Sequence, residues 1–335
     1  MSPAPCPAPL DGAADTVAAH LALAPADPLR GPIVTLWDSD GVLPAWHEAS
    51  GDLIRWQPPV VQLHTWEPGR VDDLILTAIP RAHLVLGCGV DGVARRVALG
   101  EWPVDRGRRQ LVALARRAVE VGARAICWNA EASWKRPPGS EEARRLAAVI
   151  ADTLASVASL YPQLRQWHTS YDHPHYHSTY PWRAWLGAGS PIEVSLPQVY
   201  AAPGGGMMAH RGALEAREAR ALSSWDTAIR RGWITPDDPT TPLREGVVWR
   251  PYYQLHHVTA VDTVASALAQ PVVSLWAMRS RSDAAGREAA EVLCAVWRAG
   301  LWGDVRALQR AVGVADDGDY GPITHAAVLR WAAGP

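Results

Sequence analysis

The chain has 335 residues and a formal net charge of −2, with a pI near 6.6. That balance leaves no basic stripe of the kind a nucleic-acid or anionic-membrane binder needs, and no apolar run approaches the roughly 20 residues that span a bilayer. Neither a nucleic-acid partner nor a transmembrane segment is expected, and the length suits one large domain plus a small one, since a closed α/β barrel takes about 250 residues.

Residues 1–30 are rich in Pro and Ala and read as an arm or linker. The opening MSPAPCPAPLDGAAD has neither a basic nor an apolar region of signal type, so no classical secretory signal is expected. Export would then need a holin, a contractile particle or lysis. Over 31–299, apolar runs of strand length alternate with longer amphipathic stretches. The spacing predicts strands at Ile33 to Trp37, Val60 to Trp66, His83 to Cys88, Ala123 to Asn129, Gln166 to Ser170, Val194 to Tyr200, Val247 to Tyr253 and Val272 to Trp276. Helices are predicted at Arg106 to Gly122, Glu141 to Tyr161, Ala209 to Arg231, Val258 to Gln270 and Asp283 to Ala299, with Ser140 as an N-cap and Gly122 and Gly232 as stops. Segments such as VTLW, HLVLGC, RAICW and PVVSLW are near-continuously apolar, as strands covered on both faces must be. The expected fold is an α/β (β/α)8 TIM barrel. A doubly wound open sheet is the runner-up, but the first strand runs into WDSDG and lacks a glycine-rich phosphate turn.

Active sites of such barrels lie at the C-terminal ends of the strands. Those ends carry Trp37, Asp38 and Asp40; Trp66 and Glu67; Asp91; Asn129 and Glu131; His168, Tyr171 and Asp172; Gln198 and Tyr200; Tyr253 and Gln254; and Trp276. Acids set among aromatic faces suit polysaccharide cleavage, in which one carboxyl protonates the leaving oxygen and a second attacks or stabilises the anomeric carbon. Glu131 is the candidate acid, because an apolar strand with Trp128 and Trp134 nearby would desolvate it. Asp38, then Asp172, then Glu67 are candidates for its partner. Trp37, Trp66, Asn129, Trp134, Tyr171, Gln198, Tyr200 and Trp276 are candidate substrate contacts, and no metal or cofactor is called for.

His173, His175 and His177 stand at alternate positions in YDHPHYHSTYPW, but Pro174 and Pro181 make this a loop over the mouth. With Asp38 and Asp40 these histidines keep open a metal-dependent deacetylase. The run PGGG at Pro203 to Gly206 reads as a rim loop, since it lacks the Lys-Ser/Thr ending of a phosphate loop. Cys6, Cys88, Cys127 and Cys294 form no close pair and are expected as free, buried thiols. The 17 Trp and absent Phe fit either sugar stacking or a core filled with Trp for want of Phe.

ICWNAE (126–131) followed by LPQVYAAPGG (196–205) resembles strands four and six of barrel-type glycoside hydrolases, including muramidase- and endolysin-like cell-wall enzymes. The resemblance implies a catalytic glutamate at Glu131. It departs at Asn129, where barrel muramidases have Asp, and in VVWRPYYQLHH, which lacks the strand-seven Glu of the retaining clan. The tail, 300–335, places Val305, Leu308, Gln309, Asp317, Gly318, Tyr320, Gly321, Thr324, Ala327 and Val328 on the pattern of a peptidoglycan-binding helical repeat, cut short of its third helix. Together these imply hydrolysis of peptidoglycan or a related polysaccharide, outside the cell, at the wall or in a phage particle. The alternative is a non-catalytic glycan-binding component of a phage or injection particle, with a particle protein as assembly partner.

Overall fold

The structure is a computed structural model that describes residues 31–38, 52–53, 55–65, 79, 83–171, 177–187, 189–200, 248–249, 252–254, 259–269, 272–276 and 284–333. Its strands are β1 (Gly31–Asp38), β2 (Val60–Thr65), β3 (Leu84–Gly89), β4 (Ala125–Asn129), β5 (Arg165–Tyr171), β6 (Ile192–Tyr200), β7 (Val248–Trp249), β8 (Tyr252–Gln254) and β9 (Val272–Trp276). The helices are α1 (Asp91–Ala98), α2 (Val104–Glu120), α3 (Glu141–Leu160), α4 (Trp182–Leu186), α5 (Ala260–Leu268), α6 (Ala284–Arg298), α7 (Val305–Ala311) and α8 (Pro322–Ala333), with a 3-10 turn at Ala132–Trp134.

Strands β1 to β6 lie side by side in chain order, every pair parallel. Strand β6 also pairs with β7 and β8, β8 with β9, and β9 with β1, again all parallel. The expected parallel α/β fold is what the chain adopts. The predicted seventh strand is represented among the described residues by β7 and β8, and Val194 facing Val248 and Gln198 facing Tyr252 give both the same offset against β6. Helices α1 and α4 are additions to the expected set. The predicted helix Ala209 to Arg231 and its stop Gly232 lie outside the described residues.

Local chemistry explains the helix ends. The Ser140 hydroxyl accepts from Ala143 N at 3.1 Å and opens α3. From there Leu146, Val149, Ile150, Leu154 and Val157 recur at helical spacing on the buried face. Gly122, at φ 76°, closes the turn after α2.

Alternation along the strands separates two cores. Val34, Val61, Leu63, Leu84, Leu86, Cys88, Ile126 and Trp128 face the helices. Ile33, Val60, Val85, Ala125, Cys127, Trp167, Val194 and Leu196 form a second, inner cluster. The three cysteines in the described residues are free and buried, and burial pushes the Cys294 thiol up to about 12. No helix among the described residues is long and apolar enough to cross a membrane.

The tail is organised around Gln309, which is buried at 1% exposure. Its amide donates to Asp317 Oδ1 at 2.7 Å and Asp319 O at 3.0 Å, and its carbonyl accepts from Gly318 N at 2.8 Å. Helix α8 docks on α6 through His325, whose ring lies 2.9 Å from Tyr320 Oη and 2.7 Å from Glu288 Oε1. Gln309, Asp317, Gly318, Tyr320 and Thr324, residues that carry the resemblance to a wall-binding repeat, are thus engaged in holding their own loop and seating it on α6.

Candidate active site

The inner face changes character toward the C-terminal ends of the strands. Continuing the alternation, β2 places Gln62 and His64 inward above Val60, β4 places Asn129 above Cys127, and β6 places Gln198 above Leu196. These four polar side chains are buried and make one connected ladder. Gln198 Nε2 lies 2.9 Å from Glu131 Oε1 and 3.3 Å from Asn129 Oδ1. Asn129 Nδ2 lies 3.3 Å from His64 Nε2, and His64 Nδ1 lies 3.4 Å from the Gln62 side-chain amide.

Tautomer and amide orientation follow from the acceptors. Glu131 and Asn129 oxygens both take protons from Gln198, so Asn129 offers its NH2 group to His64. Nε2 is therefore the bare nitrogen and Nδ1 carries the proton. The Gln62 amide meets that proton best with its oxygen, which also gives a partner to Oε1, an atom otherwise left without one among the described residues. Burial holds the His64 pKa at about 3, so the imidazole is neutral in this role. Gln198 thus donates both to Glu131 and to Asn129, and from Asn129 the donors run on through His64 to Gln62, so the chain of amides and imidazole fixes the group that holds the carboxylate.

Glu131 itself is placed by Asp91, the first residue of α1. Asp91 Oδ1 accepts from Glu131 N at 2.8 Å and Oδ2 from Ser133 N at 3.1 Å, so one carboxylate caps the 3-10 turn after β4. Ala130 N donates to Thr169 O at 3.2 Å and ties the same segment to β5. Asp91→Ala is expected to lower stability by about 1–2 kcal/mol, the usual loss on removing a cap. Asp91→Asn, which keeps one acceptor, should recover about half of that in denaturant unfolding.

Beside Glu131, Lys135 Nζ lies 2.8 Å from His177 Nδ1 and 3.9 Å above the Tyr171 ring, and the Tyr171 and His177 rings stack at 3.8 Å. Burial lowers the Lys135 pKa, and the Glu131 charge opposes that shift. Burial, then Glu131 and Asp91, push the Tyr171 hydroxyl up, so it stays protonated.

Of the residues singled out in the sequence, Asn129, Glu131 and Gln198 are joined by hydrogen bonds, and Tyr171 lies near enough to feel the Glu131 charge. Trp134 is 1% exposed and packs edge-on against Trp185 at 5.4 Å, one layer behind. His168 faces the helices, 2.8 Å from Tyr180 Oη and 5.1 Å from Trp185. Strand β1 carries Trp37 and Asp38, β6 carries Tyr200 and β9 carries Trp276 at its end, but their side chains lie outside the described set, as do Trp66, Asp172, His173 and His175. Gln62, His64 and Lys135 were not anticipated; the signal for the first two was a polar residue at every second position of VVQLHT. No group of three His, Cys, Asp or Glu that could hold a metal ion occurs among the described residues.

No family model matches the chain, and no curated protein does. Solved structures do. An L-ribulose 3-epimerase matches with a TM-score of 0.49 and 10% identity, over 85% of this chain and 98% of that one. A D-allulose 3-epimerase from Methylomonas sp. matches at 0.42 and 13%, over 84% and 94%. A dihydrodipicolinate synthase from Bacteroides thetaiotaomicron matches at 0.35 and 11%, over 91% and 98%. These findings overturn the cell-wall reading: the neighbours are sugar epimerases and a synthase instead of peptidoglycan hydrolases. The glycosidase, endolysin, glycan-binding particle and deacetylase readings are withdrawn with it. Cleavage of a glycosidic bond needs a second carboxyl across from Glu131; Asp91 is held in the cap, and the side chains of the expected partners Asp38, Asp172 and Glu67 lie outside the described residues. At these identities the neighbours do not transfer an activity, so function is argued from the chain's own residues.

Proposed function

We propose that the strand-end mouth around Glu131 is the active site of a small-molecule enzyme in which the Glu131 carboxylate moves a proton to and from carbon next to a carbonyl group. The observation that carries this reading is the buried ladder that runs from Gln62 through His64 and Asn129 to Gln198 and ends on Glu131 Oε1. A ladder of this kind fixes one carboxylate oxygen in space and leaves the other to work. Glu131 takes the proton, the C–H electron pair moves onto the carbonyl oxygen as an enolate, and return of the proton regenerates the carbonyl compound. The amide and phenol groups of the mouth suit an oxygen-rich ligand.

The same reading treats the sheet as an eight-staved (β/α)8 barrel over 31–299, with β7 and β8 as two parts of one stave. Support comes from the pairings, which return from β6 through β8 and β9 to β1, together with the β5–β6 pairing. Residues 1–30 are then an arm and 300–335 a docked helical extension.

The test is deuterium uptake at carbon in D2O, followed by NMR, for dihydroxyacetone, a set of free ketoses, dihydroxyacetone phosphate and pyruvate. The wild type is expected to exchange at least one of them, and Glu131→Gln to slow that exchange about 10²- to 10⁴-fold. No exchange by the wild type, or equal exchange by Glu131→Gln, overturns the proposal.

A further inference from the structure

We infer that Lys135 is a specificity residue of this mouth: it anchors an anionic group, carboxylate or phosphate, on the molecule that Glu131 acts upon. The inference rests on the active-site reading above for the identity of the ligand, but the anion site stands on its own geometry. Lys135 belongs to the segment that follows β4, four positions beyond Glu131, and its ammonium is held from two sides. His177 Nδ1 accepts one N–H at 2.8 Å, and the Tyr171 ring lies 3.9 Å below the charge. The clamp is itself rigid, because Tyr171 ends β5 and stacks on His177 at 3.8 Å. An ammonium has three N–H donors, and this one gives a single hydrogen bond to the protein among the described residues.

Among the described residues the clamp has no counter-ion within ion-pair distance. Arginines 55, 108, 109, 116, 117, 145, 165, 287 and 310 each pair with a carboxylate. No carboxylate among the described residues lies within 4.0 Å of Lys135 Nζ, although Glu131 is close enough to influence its charge. Aromatic faces and an imidazole hold a cation in place without neutralising it, so the positive charge is presented to the mouth. A ligand with an anionic group at Lys135 and its reacting carbon at Glu131 would occupy both charges. Proximity of an anion would be the larger gain because the site is partly desolvated. A compact ammonium suits either anion as a point charge.

The test is binding of inorganic phosphate and, separately, acetate to the full chain by isothermal titration calorimetry. Wild type, Lys135→Met, Lys135→Arg and Glu131→Gln are compared, with folding of each verified by circular dichroism. Saturable binding of at least one anion is expected, weakened tenfold or more in Lys135→Met and kept within threefold in Lys135→Arg. Which anion binds more tightly distinguishes a phosphate ester from a carboxylic acid. Glu131→Gln is expected to bind the anion as well as or better than wild type, since a nearby negative charge is gone. Undiminished binding by Lys135→Met, or no saturation in the wild type by either anion, overturns the anchor. Loss in Lys135→Met alongside unchanged deuterium exchange in Glu131→Gln leaves the anchor standing and refutes the proton-transfer reading instead.

Discussion

Lowering the pH from 7 to 5 is expected to remove on the order of 4 kcal/mol of stability through two buried imidazoles, His64 and His168. Burial holds both at a pKa of about 3 against an ordinary 6.5. The unfolded chain therefore binds one more proton per ring anywhere between those values. The sign follows: the contribution is complete above pH 6.5 and is lost as the pH falls toward 3, at about 1.4 kcal/mol per unit and per ring. The rings sit on opposite faces of the sheet, His64 in the inner ladder and His168 against Tyr180 and Trp185. Their effects should accordingly add. Guanidinium unfolding at several pH values measures the slope directly, and His64→Gln and His168→Gln should each flatten it by about one proton. A wild-type slope near zero between pH 7 and 5 would show that these rings are not held neutral.

Gly87→Ala is expected to destabilise the fold by about 2–4 kcal/mol and to slow deuterium exchange along with it. Gly87 faces inward on β3, level with His64 on β2. A Cβ at this position would come within 2.6 Å of His64 Nδ1 and 3.0 Å of the Gln62 side-chain amide. Neither group can yield without breaking the ladder, because one is tied to Asn129 and the other to the imidazole. The displacement passes through Asn129 to Gln198 and so to the atom that holds Glu131. Gly92→Ala provides the comparison: Gly92 lies in α1, where an added Cβ meets nothing within 4 Å. That change should be neutral or stabilise by about 0.5–1 kcal/mol. Equal stability of Gly87→Ala and wild type in denaturant would mean that the ladder is not close-packed.

The parallel fold was legible because strands buried on both faces leave an unbroken apolar trace, as in HLVLGC and RAICW. Ser140 was legible because capping is local chemistry. Strand-end position, the neighbouring tryptophans and the ICWNAE resemblance drew attention to Glu131, but what holds it comes from α1 and β6. Asp91 shows the limit of reading acids by position: the same strand-end carboxylate that suggests chemistry closes a backbone turn. Lys135, in SWKRPP, resembles ordinary turn sequence until β5 and the segment at His177 are brought beside it. The repeat-like tail shows how a motif can be met for structural reasons, with Gln309 and the following loop satisfying each other.

Cys88 and Cys127 occupy adjacent strands but opposite sides of one sheet, the first against the helices and the second in the inner cluster. A layer of backbone stands between the two sulfurs, so an oxidant cannot join them while the sheet is intact. The pair amounts to a two-channel gauge of opening. Alkylation at Cys88 reports lifting of the helical coat, alkylation at Cys127 reports exposure of the interior, and the ratio of the two rates tells which layer of the molecule gives way first.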